Sequence, residues 1–319
     1  MMYRNSFNKI RSIEPDIVKY YEININDYEP ITLKAYKIVS DNGKEYFLKE
    51  TKAVALQKYQ YLYNQGVNNV IYPILNRNES FVTRANDSNY YISDYVKQIK
   101  IRNDTRVSNL YNELSILHQQ TQIRKSLDPS KSRGKFDELS SQLDYKFRLL
   151  EQLVRKIEAK NLDTFTLPIL ENYHYILDAK KELVKLQKRL ISSIKAHEGV
   201  NYSFVHNNPD LDHLLNIKGV NYLSSLDNGK IGINSLDMAK FYVMNEQYDI
   251  DFKQLILDKY YDENQLFYYD YFRFLVLVIY IKRMPITIDD YINANSFVDT
   301  SESIKRYFKN FLDYKEETS

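Results

Sequence analysis

Cysteine and tryptophan are absent from this 319-residue chain, and glycine and proline number seven each. Without cysteine there is no disulfide, no thiolate metal site and no cysteine nucleophile. Seven glycines leave little material for a loop that cradles phosphate through its backbone. An excess of one charge is missing too. Lys and Arg total 44 against 42 Asp and Glu, a net charge of +2. That balance gives no basis for a nucleic-acid surface or a polyanionic partner. There is no long hydrophobic run: the longest, Phe274 to Ile281, falls far short of the roughly 20 residues of a membrane span and reads as a buried helix segment. Residues Met1 to Asp16 are polar and of mixed charge, with no apolar signal segment. The expected address is cytoplasmic at synthesis.

What is present is 44% hydrophobic and 27% charged residues, ordinary for a globular protein. Tyrosine stands out at 30 residues. An AT-rich coding sequence accounts for that together with the abundant Asn, Lys and Ile. A cross-linkable structural protein is the competing explanation, and the core-like placement of most tyrosines favours the first.

The chain changes character near residue 97. Ile31 to Ser40 and Glu45 to Thr51 read as strands joined by Asp41-Asn42-Gly43-Lys44, and Asn-Gly between two apolar runs is a strong hairpin signal. Ala53 to Gln65 reads as a helix closed by Gly66. Ser80 to Arg84 and Tyr90 to Val96 read as further strands around the turn Asn86 to Asn89. After Lys97 the apolar period becomes helical. Val107, Leu110, Leu114 and Leu117 mark one helix. Leu143, Phe147, Leu150 and Ile157 mark a second; Ile176, Ala179, Leu183, Leu186, Leu190 and Ile194 mark a third beyond Pro168. The last two are expected to pair as antiparallel helices. Short strands interrupt between Asn201 and Asp227, with a turn at Lys218-Gly219, and helices resume after Asn234. The expected class is α+β: a β-rich N-lobe over 1–97 and a larger helical C-lobe over 98–319, with the long helical pair at 131–200.

This order resembles the protein-kinase-like fold. Tyr46-Phe47-Leu48-Lys49 ends its strand as the motif bearing the nucleotide-contacting lysine does, and Tyr90 to Val96 resembles the strand that leads into the hinge. Leu117-His118 sits in a Glu-Leu-x-x-Leu-His context. The sequence resembles the aminoglycoside phosphotransferase and choline-kinase-like group, and within it the spore-coat CotS-related proteins of low-GC Gram-positive bacteria (Firmicutes), particularly the YsxE-like branch. The resemblance covers most of the chain and is strongest over Tyr61 to Val96 and His206 to Tyr242.

The group's catalytic loop reads His-Gly-Asp-Leu-x-x-x-Asn, and His206-Asn207-Asn208-Pro209-Asp210-Leu211-Asp212-His213 occupies that frame without a gap. The base aspartate becomes Asn208, which cannot accept a proton at neutral pH. The metal-binding asparagine becomes His213, a poor ligand for Mg²⁺, which prefers oxygen. Ser235-Leu236-Asp237-Met238-Ala239 resembles the group's Asp-Leu-Ala helix start, and twelve residues before Asp237 stands Ser225 where the second metal aspartate belongs. A rival register puts Asp227-Asn228-Gly229 there and keeps one ligand; the first register is the preferred one. Lys49 is a candidate nucleotide contact, but no acid lies between Lys52 and Gly66 to pair with it, Gln57 being the nearest substitute. The simpler roles are a loop-bonding His206, a packed His213, a helix-capping Asp237 and a supporting Lys49.

The resemblance therefore implies a pseudokinase with degenerate catalytic and metal loops at 201–242. It would be a spore-coat or spore-assembly component that acts through other proteins, with the pair Phe136 to Ile194 as a candidate contact surface. No cofactor is expected on this reading. The alternative is an active ATP- and Mg²⁺-dependent small-molecule phosphotransferase with displaced acids, using Asp210, Asp212 or Asp227.

Overall fold

The computed structural model describes residues 13–312 apart from 86–87, 99–100, 127, 160–162, 197–198 and 261–265. The chain divides into two compact units, Met1–Gln122 with Ser203–Ile231, and Ile123–Tyr202 with Gly232–Ser319.

Unit 1 is built on a five-stranded antiparallel sheet. In chain order its strands are β1 (Ile25–Thr32), β2 (Ala35–Ser40), β3 (Glu45–Thr51), β4 (Thr83–Ala85) and β5 (Ser88–Asp94). In space they run β1-β2-β3-β5-β4. Alternation sorts the side chains onto two faces. Tyr36 and Ile38 of β2, Tyr46 and Leu48 of β3, and Tyr90 and Ile92 of β5 pack with Ile13 and Ile17 of helix α1 (residues 13–21) into one apolar core. The opposite face carries Ala35, Phe47, Lys49, Tyr91 and Ser93. Helix α2 (Ala55–Asn64) buries Ala55, Tyr59 and Leu62. It ends as expected at Gly66, whose φ of 70° is the left-handed conformation glycine tolerates. Gly43 at φ 78° closes the β2–β3 hairpin.

One expected strand is two. Ile31 to Ser40 breaks at Leu33-Lys34, a turn that makes β1 and β2 a hairpin of their own. Strand β1 escapes sequence reading because it is an edge strand with no buried residue, so it carries no apolar alternation. Of the turn expected at Asn86 to Asn89, residues 86 and 87 lie outside the described residues, while Ser88 and Asn89 belong to β5.

Unit 1 also contains helix α3 (Asn103–Gln120), whose Val107, Leu110, Leu114 and Leu117 are all fully buried. Two hydrogen bonds tie α3 to the segment after residue 202. Thr121, at its end, accepts from the Phe204 N–H at 2.9 Å, and Arg106 donates to the Leu211 carbonyl at 2.6 Å. A two-stranded ribbon, β8 (Leu214–Ile217) with β9 (Val220–Leu223), turns at Lys218-Gly219, both at positive φ.

Unit 2 is helical. It comprises α4 (Pro129–Glu158), α5 (Leu167–Ala196), α6 (Ser235–Asn245), α7 (Phe252–Tyr260), α8 (Leu266–Arg283) and α9 (Asp290–Phe311). A short strand β6 (Ile123–Lys125) pairs with the Val200–Tyr202 part of β7 (Val200–Val205). The helical pair α4–α5 is as the periodicity indicates, with Leu143, Phe147, Leu150 and Ile157 facing Ile176, Leu183, Leu186 and Leu190 in the buried set. Phe274 to Ile281 is the buried middle of α8. No helix among the described residues is long and apolar enough to cross a membrane. Asp237 does not cap α6 as expected: Asn234 is the cap residue, and Asp237 is the helix's third residue, fully buried.

Candidate functional site

The cleft-facing side of the unit 1 sheet and the segment 207–228 enclose a cleft of about 490 Å³. Strand register brings Ala35, Lys49 and Tyr91 side by side across three strands. Lys49 is not free to reach outward. Its ammonium lies 2.7 Å from Asp227 Oδ1, with side-chain exposures of 16% and 8% for the two residues. The other carboxylate oxygen, Oδ2, accepts from the Thr51 hydroxyl at 3.2 Å. Lys58 of α2 donates to the Asp227 backbone carbonyl at 2.6 Å. Desolvation lowers the Lys58 ammonium below the usual lysine range, against the opposing pull of Asp227. Gln57, the expected substitute for an acidic partner, is exposed, and its neighbour Lys58 is what α2 contributes.

Asp227 sits in a short 3-10 turn, Leu226–Asn228, that follows Ser225. Ser225 has φ 59°, a left-handed conformation costly for a residue with a side chain, and such strain gathers where geometry is imposed by a site. Gly229 closes the turn under a tight restraint. A Cβ there would meet the Phe204 ring at 2.3 Å and the Leu226 carbonyl oxygen at 3.0 Å, so no other residue fits without movement. Ser225 lines the cleft.

The loop from His206 is held from within. The fully buried His206 approaches the Ser224 carbonyl with Nε2 at 2.9 Å, and because a carbonyl only accepts, Nε2 carries the proton. Its Nδ1 accepts from the Asn208 N–H at 3.4 Å. By the same argument His213 Nδ1 donates to the Asn208 carbonyl at 2.9 Å. The two imidazoles stack at 5.2 Å with planes 22° apart. Burial, the largest influence, holds the His213 imidazole below its ordinary range; the Asn208 carbonyl acts the other way. Asn208, Asp210, Asp212 and His213 all line the cleft. Asp210 caps the turn Leu211–His213 by accepting from the Asp212 N–H, and Asp212 is an exposed carboxylate 3.8 Å from Arg106. Among the described residues no group of three or more His, Asp or Glu side chains could hold a metal ion.

The structure therefore gathers Lys49, Asn208, His213 and Ser225 around one cleft and sets Asp227 directly on Lys49. Sequence reading did not single out Thr51, Lys58, Tyr59 or Tyr91. The pairing Lys49↔Tyr91 follows from strand register, and the approach of α2 to Asp227 is a long-range contact with no local signal.

No protein-family model matches the chain, and no curated protein does. Solved structures do match. An aminoglycoside phosphotransferase from Alicyclobacillus acidocaldarius superposes with a TM-score of 0.64 at 13% identity, over 95% of this chain and 96% of that one. The chain has the kinase-like fold. Spectinomycin phosphotransferase, solved with ADP and spectinomycin, matches this kinase-like chain with a TM-score of 0.52 at 14% identity over 94% and 98%. Choline kinase LicA from Streptococcus pneumoniae matches at 0.51 and 14% over 93% and 99%. At these identities the likeness is one of fold.

Proposed function

We propose that this kinase-like chain is a pseudokinase, a protein that keeps a ligand cleft but acts by binding rather than by phosphoryl transfer. The observation that carries the reading is the closed set around Asp227. Phosphoryl transfer needs a carboxylate for the proton of the attacking hydroxyl and oxygen ligands for Mg²⁺. Both oxygens of Asp227 are already engaged, by Lys49 and Thr51. The loop residue in the base position is Asn208, and a histidine stands at 213. The side chains present do not fit Mg²⁺. Two features support the frame on which this rests: Asn207, where the resembled loop has glycine, takes φ 68°, and Asp227-Asn228-Gly229 supplies an aspartate on Lys49 followed by an obligatory glycine. The second register, with Asp227 and not Ser225 as the surviving aspartate, is the one we adopt.

The finer reading follows the resemblance to CotS-related proteins: a spore-coat or spore-assembly component, with a lobe over 1–97 and another over 98–319, engaging other proteins. A tagged chain followed in its native host tests this; absence of expression during sporulation removes the coat role and leaves the cleft unaffected. A second reading, an active small-molecule phosphotransferase, is favoured by one observation, the carboxylates of Asp210 and Asp212 on the cleft wall. Isothermal titration and turnover assays with Mg-ATP separate the two. The pseudokinase shows no turnover; ATP consumption lost on Asp210→Asn or Asp227→Ala establishes the enzyme instead.

A further inference from the structure

Two helix starts in unit 2 are built alike. Just ahead of α5 the Asp163 carboxylate accepts from the Phe165 N–H at 2.9 Å and the Thr166 N–H at 2.8 Å. At the head of α9 the Asp289 carboxylate accepts from the Tyr291 N–H at 2.9 Å and the Ile292 N–H at 3.2 Å. Each cap fixes the backbone of an aromatic residue two positions on. The two rings meet edge-on at 5.7 Å, so both starts share one surface. From there α5 and α9 run side by side in the same direction, Asn172 meeting Ser301 and Tyr175 meeting Lys305.

The shared surface is apolar and open. Phe165, Leu167, Tyr291 and Ile292 are exposed, and Ile288, just before the Asp289 cap, is wholly so. Single exposed apolar side chains are ordinary, but several gathered in one place mark a contact. The local charge is one-sided as well. From 163 to 179 the acids are Asp163, Glu171 and Asp178; from 285 to 304 they are Asp289, Asp290, Asp299 and Glu302. Neither stretch has a Lys or Arg, in a chain whose 44 bases balance 42 acids. Asp178 and Glu302 pair with Lys181 and Lys305, just past the two stretches. No ion pair among the described residues holds Glu171, Asp289 or Asp299. Glu171 lies one turn beyond Leu167 and Asp299 two turns beyond Ile292, so acidic and apolar side chains share the same helix faces.

Charge selects the occupant. A second copy packed face to face would set acid against acid, and an anionic membrane would be repelled. What covers this surface must bring apolar side chains and positive charge together. A helix with one apolar and one basic face does so, and it can lie along a helix pair. We propose that the starts of α5 and α9 form a docking surface for a basic amphipathic helix of a partner protein. Its apolar face sits on Phe165, Ile288 and Tyr291, and its Lys and Arg side chains meet Glu171, Asp289 and Asp299. This deepens the reading of the chain as one that acts by binding other proteins, and rests on it.

The chain has no Trp, so a Trp-bearing peptide reports its own binding by fluorescence. The probes are a Leu/Lys amphipathic helix of about 18 residues with one Trp, the same composition scrambled to remove the apolar face, and the amphipathic pattern with Glu for Lys. Each is titrated at low and high salt into the full parent chain and three variants. These are Ile288→Ser/Tyr291→Ser, Glu171→Gln/Asp299→Asn, and Val220→Ser at an exposed apolar position of unit 1. The expected result is saturable binding of the Leu/Lys helix alone, about tenfold weaker in the serine pair and unchanged in Val220→Ser. The charge pair should bind about threefold more weakly at low salt, and the difference should vanish at high salt. All the altered side chains are exposed, so melting temperatures should match the parent's. Should the serine pair melt lower, the charge pair, whose side chains keep their shape, decides. The proposal is overturned if the Leu/Lys helix does not bind, if the scrambled or Glu peptide binds as well, or if the charge pair binds as the parent does. Dimerisation in sedimentation, or binding to phosphatidylglycerol vesicles, that the serine pair abolishes also overturns it and gives the surface to a second copy or a membrane. Turnover of Mg-ATP is read separately. Turnover with peptide binding intact fails the non-catalytic reading alone; no turnover and no peptide binding fails the docking surface alone.

Discussion

Asp227 makes three contacts with two elements, Lys49 and Thr51 of β3 and Lys58 of α2, and removing any one leaves charge or polarity stranded in a mostly buried place. Asp227→Asn leaves the Lys49 ammonium without its counter-ion, and a mostly buried pair broken on one side costs about 3 kcal/mol. A urea titration should show that loss, with Thr51→Val giving a smaller one. Gly229→Ala is expected to be similarly harmful for a different reason: the added methyl overlaps the Phe204 ring, which is buried and stacked on Tyr61, so the turn bearing Asp227 has to shift. His213 adds a pH dependence. Its folded pKa lies below the ordinary value, so on acidification the unfolded chain takes up the proton first. Its contribution to stability is therefore complete above about pH 6.5, the ordinary histidine value, and falls as pH drops through that value toward the folded pKa. Urea midpoints at pH 7.5 and 5.5 should differ by more in the parent than in His213→Asn.

Elements differ in how they are held. The sheet of unit 1 has a single apolar core on its α1 side and keeps its other face for the cleft, so β3 and β5 alternate between folding residues and site residues. A one-residue slip of either strand would exchange the two sets. The helices of unit 2 include buried charge. Arg273 of α8, 2% exposed, bonds Glu182 of α5 at 2.5 Å and the Tyr307 hydroxyl of α9 at 3.2 Å; Arg189 and Asp270 pair beside it. Glu182→Ala should cost roughly 3–5 kcal/mol, because it abandons a buried guanidinium. Glu182→Gln, which keeps an acceptor, should cost less; thermal melting of the two variants checks the order.

For the whole molecule the question is whether the cleft carries phosphoryl transfer. Of the loop positions that depart from the resembled motif, 208 and 213 are the two on the cleft wall. Asn208→Asp with His213→Asn places an oxygen-rich pair opposite Lys49. ADP binding in this variant should become tighter with Mg²⁺, whereas the parent should show no such dependence. Equal Mg²⁺ dependence in both chains would mean that Asp227 releases Lys49 to hold the ion, and would restore the enzyme reading.

The sequence by itself determined the class of the fold and the order of its β2-to-β5 and long helical elements. Apolar periods of two and then 3.6 residues, with glycines at two turns, are local quantities that a single chain carries in full. It also placed Asn208 where the resembled loop has its aspartate, because His206 to His213 is contiguous. Strand β1 and the split at Leu33 stayed hidden, since an edge strand with no buried side chain has no pattern to read. Only the tertiary structure decided which aspartate meets Lys49. That contact joins residues 178 positions apart, and neither the alternation of β9 nor the spacing from Asp237 could choose between Ser225 and Asp227. Tyr59 and Tyr91 were likewise two core-like tyrosines among 30 until helix and strand came together and set their rings edge to edge at 5.6 Å.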